Sequence, residues 1–280
     1  MADSTRQPAT SVLGAPGVRL AAEWLITRLL VITLVAAFPR GRDAYLASDI
    51  GVFWSAATSG QPLADALPEY PGLARAFALV GGLFDHQAAF GLAWLTAMLL
   101  VDALLTLMLA GHTHRSARIW VYGGAALGPL VWLRFDLLVA LLVVSALLKR
   151  QRSPGWSGVL LGRAVLLKSW PVVLAAVLLP GLRQLRWAGA AAATVAAGVV
   201  IEMAATGPRS VLTPWMNQSG RGIQIESTFA TPTLVGAVGD TPNDVVQFVN
   251  RAYHLTEDFG RWPTLIALVV LTTMAVVVFV

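Results

Sequence analysis

Between His112 and Arg186 the chain alternates apolar stretches with short clusters of positive charge, and this alternation limits its possible folds more than any motif does. The clusters are His112-Thr113-His114-Arg115 with Arg118, then Lys149-Arg150-Gln151-Arg152, then Arg183 with Arg186, and none contains an acid. Continuous apolar runs between them read as helices in a bilayer, because a transmembrane barrel would show short alternating segments instead. Composition agrees. The 280 residues are 56% hydrophobic and 12% charged, with a mean hydropathy of +0.68, which is too little charge to cover a soluble domain. The net charge of +5 lies in loops between apolar runs, so the expected partner is the lipid bilayer and not nucleic acid. Cysteine is absent, which removes disulfides and thiolate metal sites.

Basic loops stay on the cytoplasmic side. All three clusters are expected there, together with a disordered polar tail over residues 1–18. The run 20–38, with Glu23 and Arg28 inside it, reads as an uncleaved first span because many apolar runs follow it. A stretch flanked by two cytoplasmic clusters must cross and return. Residues 119–148 and 155–182 are therefore expected as helical hairpins, turning at Arg134-Phe135-Asp136 and at Lys168-Ser169-Trp170-Pro171, where the residue before a proline avoids helical angles. Each arm then has roughly 12–15 residues, about 18–22 Å at 1.5 Å per residue, against a hydrocarbon core of ~30 Å. Arg134, Asp136 and Lys168 are accordingly expected below the outer surface, at the floor of a depression.

The runs 88–110 and 187–205 supply an inward and an outward span, which leaves 39–72, 206–227 and 239–262 outside. Segment 73–84 is too short to cross and is expected along the outer interface; 228–238 is expected to be re-entrant. The predicted fold is an all-α polytopic membrane bundle, with residues 19–280 as one multi-pass domain in the plasma membrane and the N-terminus cytoplasmic. The last run, 264–280, ends without a basic flank, the pattern of a truncated product or of an atypically short chain.

The outer face gathers the candidate site residues. Asp49 follows the first span beside Phe53 and Trp54, where a carboxylate can act as general base towards a hydroxyl; the plain alternative is a solvated loop acid. Asp43 and Asp65 are weaker candidates. Arg134 and Asp136 are costly at membrane depth unless they line a cavity or pair with each other. Lys168 has no acid near it in sequence, which favours holding an anion, whereas Arg163 sits mid-arm and can snorkel. In the polar stretch Asn217–Ser227, glycines either side of Arg221 let the backbone approach a ligand, and the arginine fork suits phosphate. Three cations with acids beside them point to a phosphate-bearing lipid and a hydroxyl acceptor. His86, His112, His114 and His254 form no coherent set, so no metal is expected. No P-loop or nucleotide-binding glycine motif is present, so no nucleotide is expected either.

Taken in order, Asp49 through Glu69-Tyr70-Pro71, Arg134-Phe135-Asp136, Lys168-Ser169-Trp170-Pro171 and Arg221-Gly222-Ile223-Gln224-Ile225-Glu226-Ser227 resemble glycosyltransferase family 87 over roughly residues 20–240. These are GT-C-type, polyprenyl-phosphate-mannose-dependent mannosyltransferases common in actinobacteria. The resemblance implies a GT-C fold, a lipid-linked sugar donor, a glycolipid or glycan acceptor, inverting transfer on the outer side, and no nucleotide cofactor. It places the catalytic base at Asp49 and the donor phosphate near Arg221, Lys168 and Arg134. Glu69, Tyr70, Asp136, Gln224 and Glu226 are further substrate-site candidates. Two positions depart from the family's pattern: Gly72 stands where members often carry a second proline, and Asn217-Gln218 stands where many carry a histidine. The rival readings are a transporter of lipid-linked sugar and an inactive scaffold. A transporter would bring polar residues to the midplane from broken helices, often in repeated halves, and no internal repeat is visible.

Overall fold

The computed structural model describes residues 15–37, 49–173, 185–219, 223, 230–237, 245–249 and 252–256, with 262, 265–266 and 269–270 near the C-terminus. In chain order the helices are α1 (Ala15–Ala37), α2 (Asp49–Thr58), α3 (Leu63–Ala66), α4 (Gly72–Gly81), α5 (Gln87–His112), α6 (His114–Ala126), α7 (Leu130–Leu133), α8 (Asp136–Lys149), α9 (Pro154–Leu167), α10 (Leu185–Thr206), α11 (Pro208–Ser219) and α12 (Thr231–Gly236). Two strands follow, β1 (Val246–Val249) and β2 (Ala252–Leu255).

Helices α1, α5 and α10 are long and apolar enough to cross a membrane. They turn large apolar side chains outward: Ile26 is 65% exposed, Leu92 69% and Ile201 68%, a surface suited to lipid rather than water. The protein is an all-α membrane protein in its bundle, as expected. Helix α1 starts at Ala15, so the last residues of the expected tail are already helical. At its start, Glu23 accepts from Arg118 of α6 at 2.8 and 2.9 Å and from Arg19 at 3.1 Å. The first half of α1 and the first basic cluster therefore lie at one end of the bundle.

The short arms and the chain breaks expected in these segments are found where they are described. Helices α8 and α9 have 14 residues each, about 21 Å by the α-helical rise. The chain breaks before α8, where Arg134 is extended (φ −118°, ψ 146°). It breaks again after α9, where Lys168 is extended (φ −155°, ψ 134°). The first arm is interrupted as well: Gly128 takes a left-handed φ of 65° and Pro129 follows, so only the short α7 continues. The return arm beyond Val173 lies outside the described residues.

Helix α9 approaches α10 closely because its contact face is glycine. A Cβ on Gly158 would collide with the Trp187 carbonyl, and one on Gly162 would stand 2.7 Å from Thr194 Cβ. This four-residue spacing of small residues is a recurrent membrane packing device.

Inside the bundle, the Arg28 guanidinium of α1 grips Asp102 of α5 through Nε (2.7 Å) and Nη2 (2.9 Å). Three indole N–H groups also donate to that carboxylate: Trp24 at 3.0 Å, Trp120 at 2.7 Å and Trp132 at 3.4 Å. Both charged side chains are buried.

One element departs from the purely helical reading. Where an external loop is expected at 239–262, β1 and β2 form an antiparallel hairpin pairing Val246 with Leu255 and Val249 with Ala252. Leu255 N donates to Ile223 O at 2.9 Å, and Ala230, Val245 and Leu255 form a small buried cluster beside it.

Candidate active site

Helix α2 begins with Asp49, and its first turn faces inward because Ile50 and Phe53 pack into the main apolar core. That packing carries Asp49 with it, to 8% exposure, so the alternative of a solvated loop acid does not hold. A buried carboxylate needs donors, and two supply it. Tyr70 Oη donates to Oδ1 at 2.7 Å and the Phe135 backbone N–H to Oδ2 at 3.0 Å. The donors come from the two segments singled out by sequence, Glu69-Tyr70-Pro71 and Arg134-Phe135-Asp136.

Aromatic packing sets this geometry. Phe53 lies 5.0 Å from the Tyr70 ring, 5.6 Å from Trp94 and 5.9 Å from Phe135, centroid to centroid. Trp94 Nε1 in turn donates to the Trp132 carbonyl at 2.9 Å, which fixes α7 and the turn after it against α5. The Phe135 N–H is thereby aimed at Asp49.

On the other side of Phe135, Lys168 Nζ stands 5.3 Å from the ring centroid and donates to both Asp136 oxygens at 2.6 Å. Two expectations change here. Lys168, which has no acid near it in sequence, is neutralised by Asp136 from the other hairpin. Asp136 is therefore not reserved for a local pair with Arg134. The two hairpin turns are joined by this half-exposed bridge, with 37% and 39% side-chain exposure.

Charge and burial act on the two central groups in a defined way. Burial pushes the Asp49 carboxyl above the usual carboxylate range, while the Tyr70 and Phe135 hydrogen bonds and the nearby Lys168 charge pull against it. Burial, and then the adjoining Asp49, hold the Tyr70 phenol well above its ordinary value, with Arg134 opposing. Tyr70 is thus a protonated donor and Asp49 an acceptor whose affinity for a proton is raised. This is the polarity a general base requires.

The structure brings Asp49, Glu69, Tyr70, Arg134, Asp136 and Lys168 into one neighbourhood; Glu69 and Arg134 both act electrostatically on Tyr70. Arg221, Gln224 and Glu226 lie outside the described residues. Two participants escaped the sequence reading. The Phe135 N–H is a backbone group that no residue type reports. Glu202 sits in the apolar run of α10, four residues before its end. An acid in such a run signals a specific partner. Glu202 accepts from the Gly72 backbone N–H at 3.1 Å and from Arg75 Nη1 at 3.2 Å.

Comparison with known proteins gives one match. A family model described as glycosyltransferase family 87 matches residues 69–280, more than half the chain. It covers the Tyr70, Arg134–Asp136, Lys168 and Arg221 segments and begins after Asp49. No curated protein and no solved structure matches.

Proposed function

Because the chain belongs to glycosyltransferase family 87 and is a membrane glycosyltransferase, we propose that it moves mannose from a polyprenyl-phosphate carrier to a hydroxyl of a glycolipid or glycan. Transfer takes place at the outer face of the plasma membrane, with inversion. Asp49 takes the proton of the acceptor hydroxyl as its oxygen attacks the anomeric carbon. The bond from that carbon to the phosphate oxygen breaks, and its electron pair leaves with the polyprenyl phosphate. No nucleotide is needed. Arg221 and Arg134 face the developing phosphate charge. Lys168 contributes in competition with Asp136.

The observation that carries this reading is the buried Asp49 carboxylate, which is held by two neutral donors and retains lone pairs for a third. Placement of Asp49 by protein groups orients it before substrate arrives. The test is direct. Purified protein is incubated with polyprenyl-phosphate mannose and glycolipid acceptors, and lipid product is followed. Transfer that disappears in Asp49→Asn while donor binding persists supports the assignment; undiminished transfer in that variant refutes Asp49 as the base.

A further inference from the structure

The α10 acid Glu202 has no place in the chemistry above, yet it is partly buried and each of its oxygens has a partner. Its Oε1 pairs with Arg75 Nη1 at 3.2 Å, with the arginine 4% and the glutamate 11% exposed. Its Oε2 accepts from the Gly72 N–H at 3.1 Å. Arg75 also donates to two backbone carbonyls. Nε bonds Leu67 O at 3.1 Å and Nη2 bonds Ser210 O at 3.1 Å. Leu67 O also accepts from the Tyr70 N–H at 3.2 Å. Tyr70 is therefore enclosed on both sides in sequence by atoms tied to Glu202: Leu67 through Arg75, and Gly72 directly. Its hydroxyl then meets Asp49 at 2.7 Å.

Gly72 shows that the contact is selective. It is the first residue of α4, after Pro71 at the N-cap, and its φ is not in the left-handed region. Backbone conformation does not call for glycine there, and proline is well suited to that helix position. What calls for glycine is Glu202. A Cβ at position 72 would stand 2.5 Å from Glu202 Oε2, and proline would have no N–H to give it. A partly buried acid that lost both partners would be left uncompensated, which is unfavourable.

We infer that Glu202 is a positioning residue for the Asp49 site: with Arg75 and Gly72 it forms a clamp that sets the Leu67–Gly72 turn, and through it the Tyr70 hydroxyl, onto the base. The same clamp ties the turn to the α10–α11 corner at Ser210, from which the chain runs on towards Arg221. This rests on the reading of Asp49 as the base, and it names what holds that base in register.

The test uses the full chain in lipid nanodiscs with 3-fluorotyrosine at its tyrosines, the Tyr70 fluorine line being assigned by Tyr70→Phe. The variants are Glu202→Ala, Glu202→Gln, Gly72→Ala and the double Gly72→Ala/Glu202→Ala. Glu202→Ala is expected to move the Tyr70 line in the direction seen in Asp49→Asn and to lower the transfer rate about tenfold, the size of a lost buried hydrogen bond to a charged group. It also moves the acid limb of the pH–rate profile upward, because a carboxylate that loses a donor binds its proton more tightly. Glu202→Gln, which keeps an acceptor, recovers part of each effect. Gly72→Ala is harmful alone, although alanine is the better helix former, and harmless once Glu202 is alanine. A merely structural contact would lower stability and leave the Tyr70 line and the acid limb in place, and that result overturns the inference. Equal effects of Gly72→Ala in both backgrounds overturn it too. Should Glu202→Ala fail to fold, Gly72→Ala and Arg75→Lys read the same line. If the wild-type protein transfers no mannose, the donor reading fails, while the fluorine line still decides whether Glu202 places Tyr70.

Discussion

Among the described residues two aspartates are buried, and the protein treats them in opposite ways. Asp102 is fully enclosed and receives five hydrogen bonds, two from the Arg28 guanidinium and three from the Trp24, Trp120 and Trp132 indoles. Every lone pair has a donor and the charge has a counter-charge in contact. Asp49 receives two hydrogen bonds, both from neutral groups. Lys168, whose charge acts on Asp49, is bound to Asp136 instead. A saturated carboxylate holds helices together; an unsaturated one can accept a proton. The contrast places the first in the architecture and supports the proposal that the second serves the chemistry.

Four experiments test that division, in descending order of expected effect. Asp49→Asn should cost about 10²–10⁴-fold in transfer, the usual worth of a general base, with little change in unfolding midpoint; a stability loss as large as the activity loss would erase the contrast. Asp102→Asn or Arg28→Met should do the reverse, lowering stability by about 3–5 kcal/mol because one buried charge loses its partner. Transfer per folded molecule should stay near normal, and denaturant unfolding together with a rate normalised to folded protein measures both. Tyr70→Phe should reduce the rate about tenfold, the worth of a hydrogen bond to a charged group. Its acid limb should also move up: the Asp49 pKa is already raised by burial, so activity falls as pH drops through that raised value, and removing a donor raises it further. A limb that stays still would show Tyr70 is not bonded to the working base. Smallest is the hairpin bridge, where Lys168→Met should change stability by at most ~1 kcal/mol, as for other half-exposed pairs.

Much of the architecture was readable because it follows from local pattern. The basic clusters and the length of the apolar stretches were enough to place helix breaks at Arg134 and Lys168, and α8 and α9 have the expected short arms. The convergence of Asp49, Tyr70 and the Arg134–Asp136 turn was legible only through the family resemblance, since nothing local in sequence says that residues 49, 70 and 135 meet. Partner choice across long separations was not legible. Lys168 finds Asp136, Arg28 finds Asp102 and Glu202 finds Arg75 and Gly72 only once helices pack. The order of spans places 239–262 outside but says nothing of its local structure, and the runs Val246–Val249 and Ala252–Leu255 are too short to mark strands by pattern. Gly72 was noticed as a departure from the family's pattern, but its cause, an acid 130 residues away, needed the fold.

The glycine face of α9 also bears on how the protein is made. A helix of 14 residues is too short to settle across a bilayer by its own hydrophobicity, and α9 rests on Gly158 and Gly162 against a wall that is α10. That wall is synthesised later. A nascent chain that has emerged only to Lys168 holds α9 without the surface that seats it. Seating of α9 is thus an event of late biogenesis, which follows the emergence of Trp187 and Thr194.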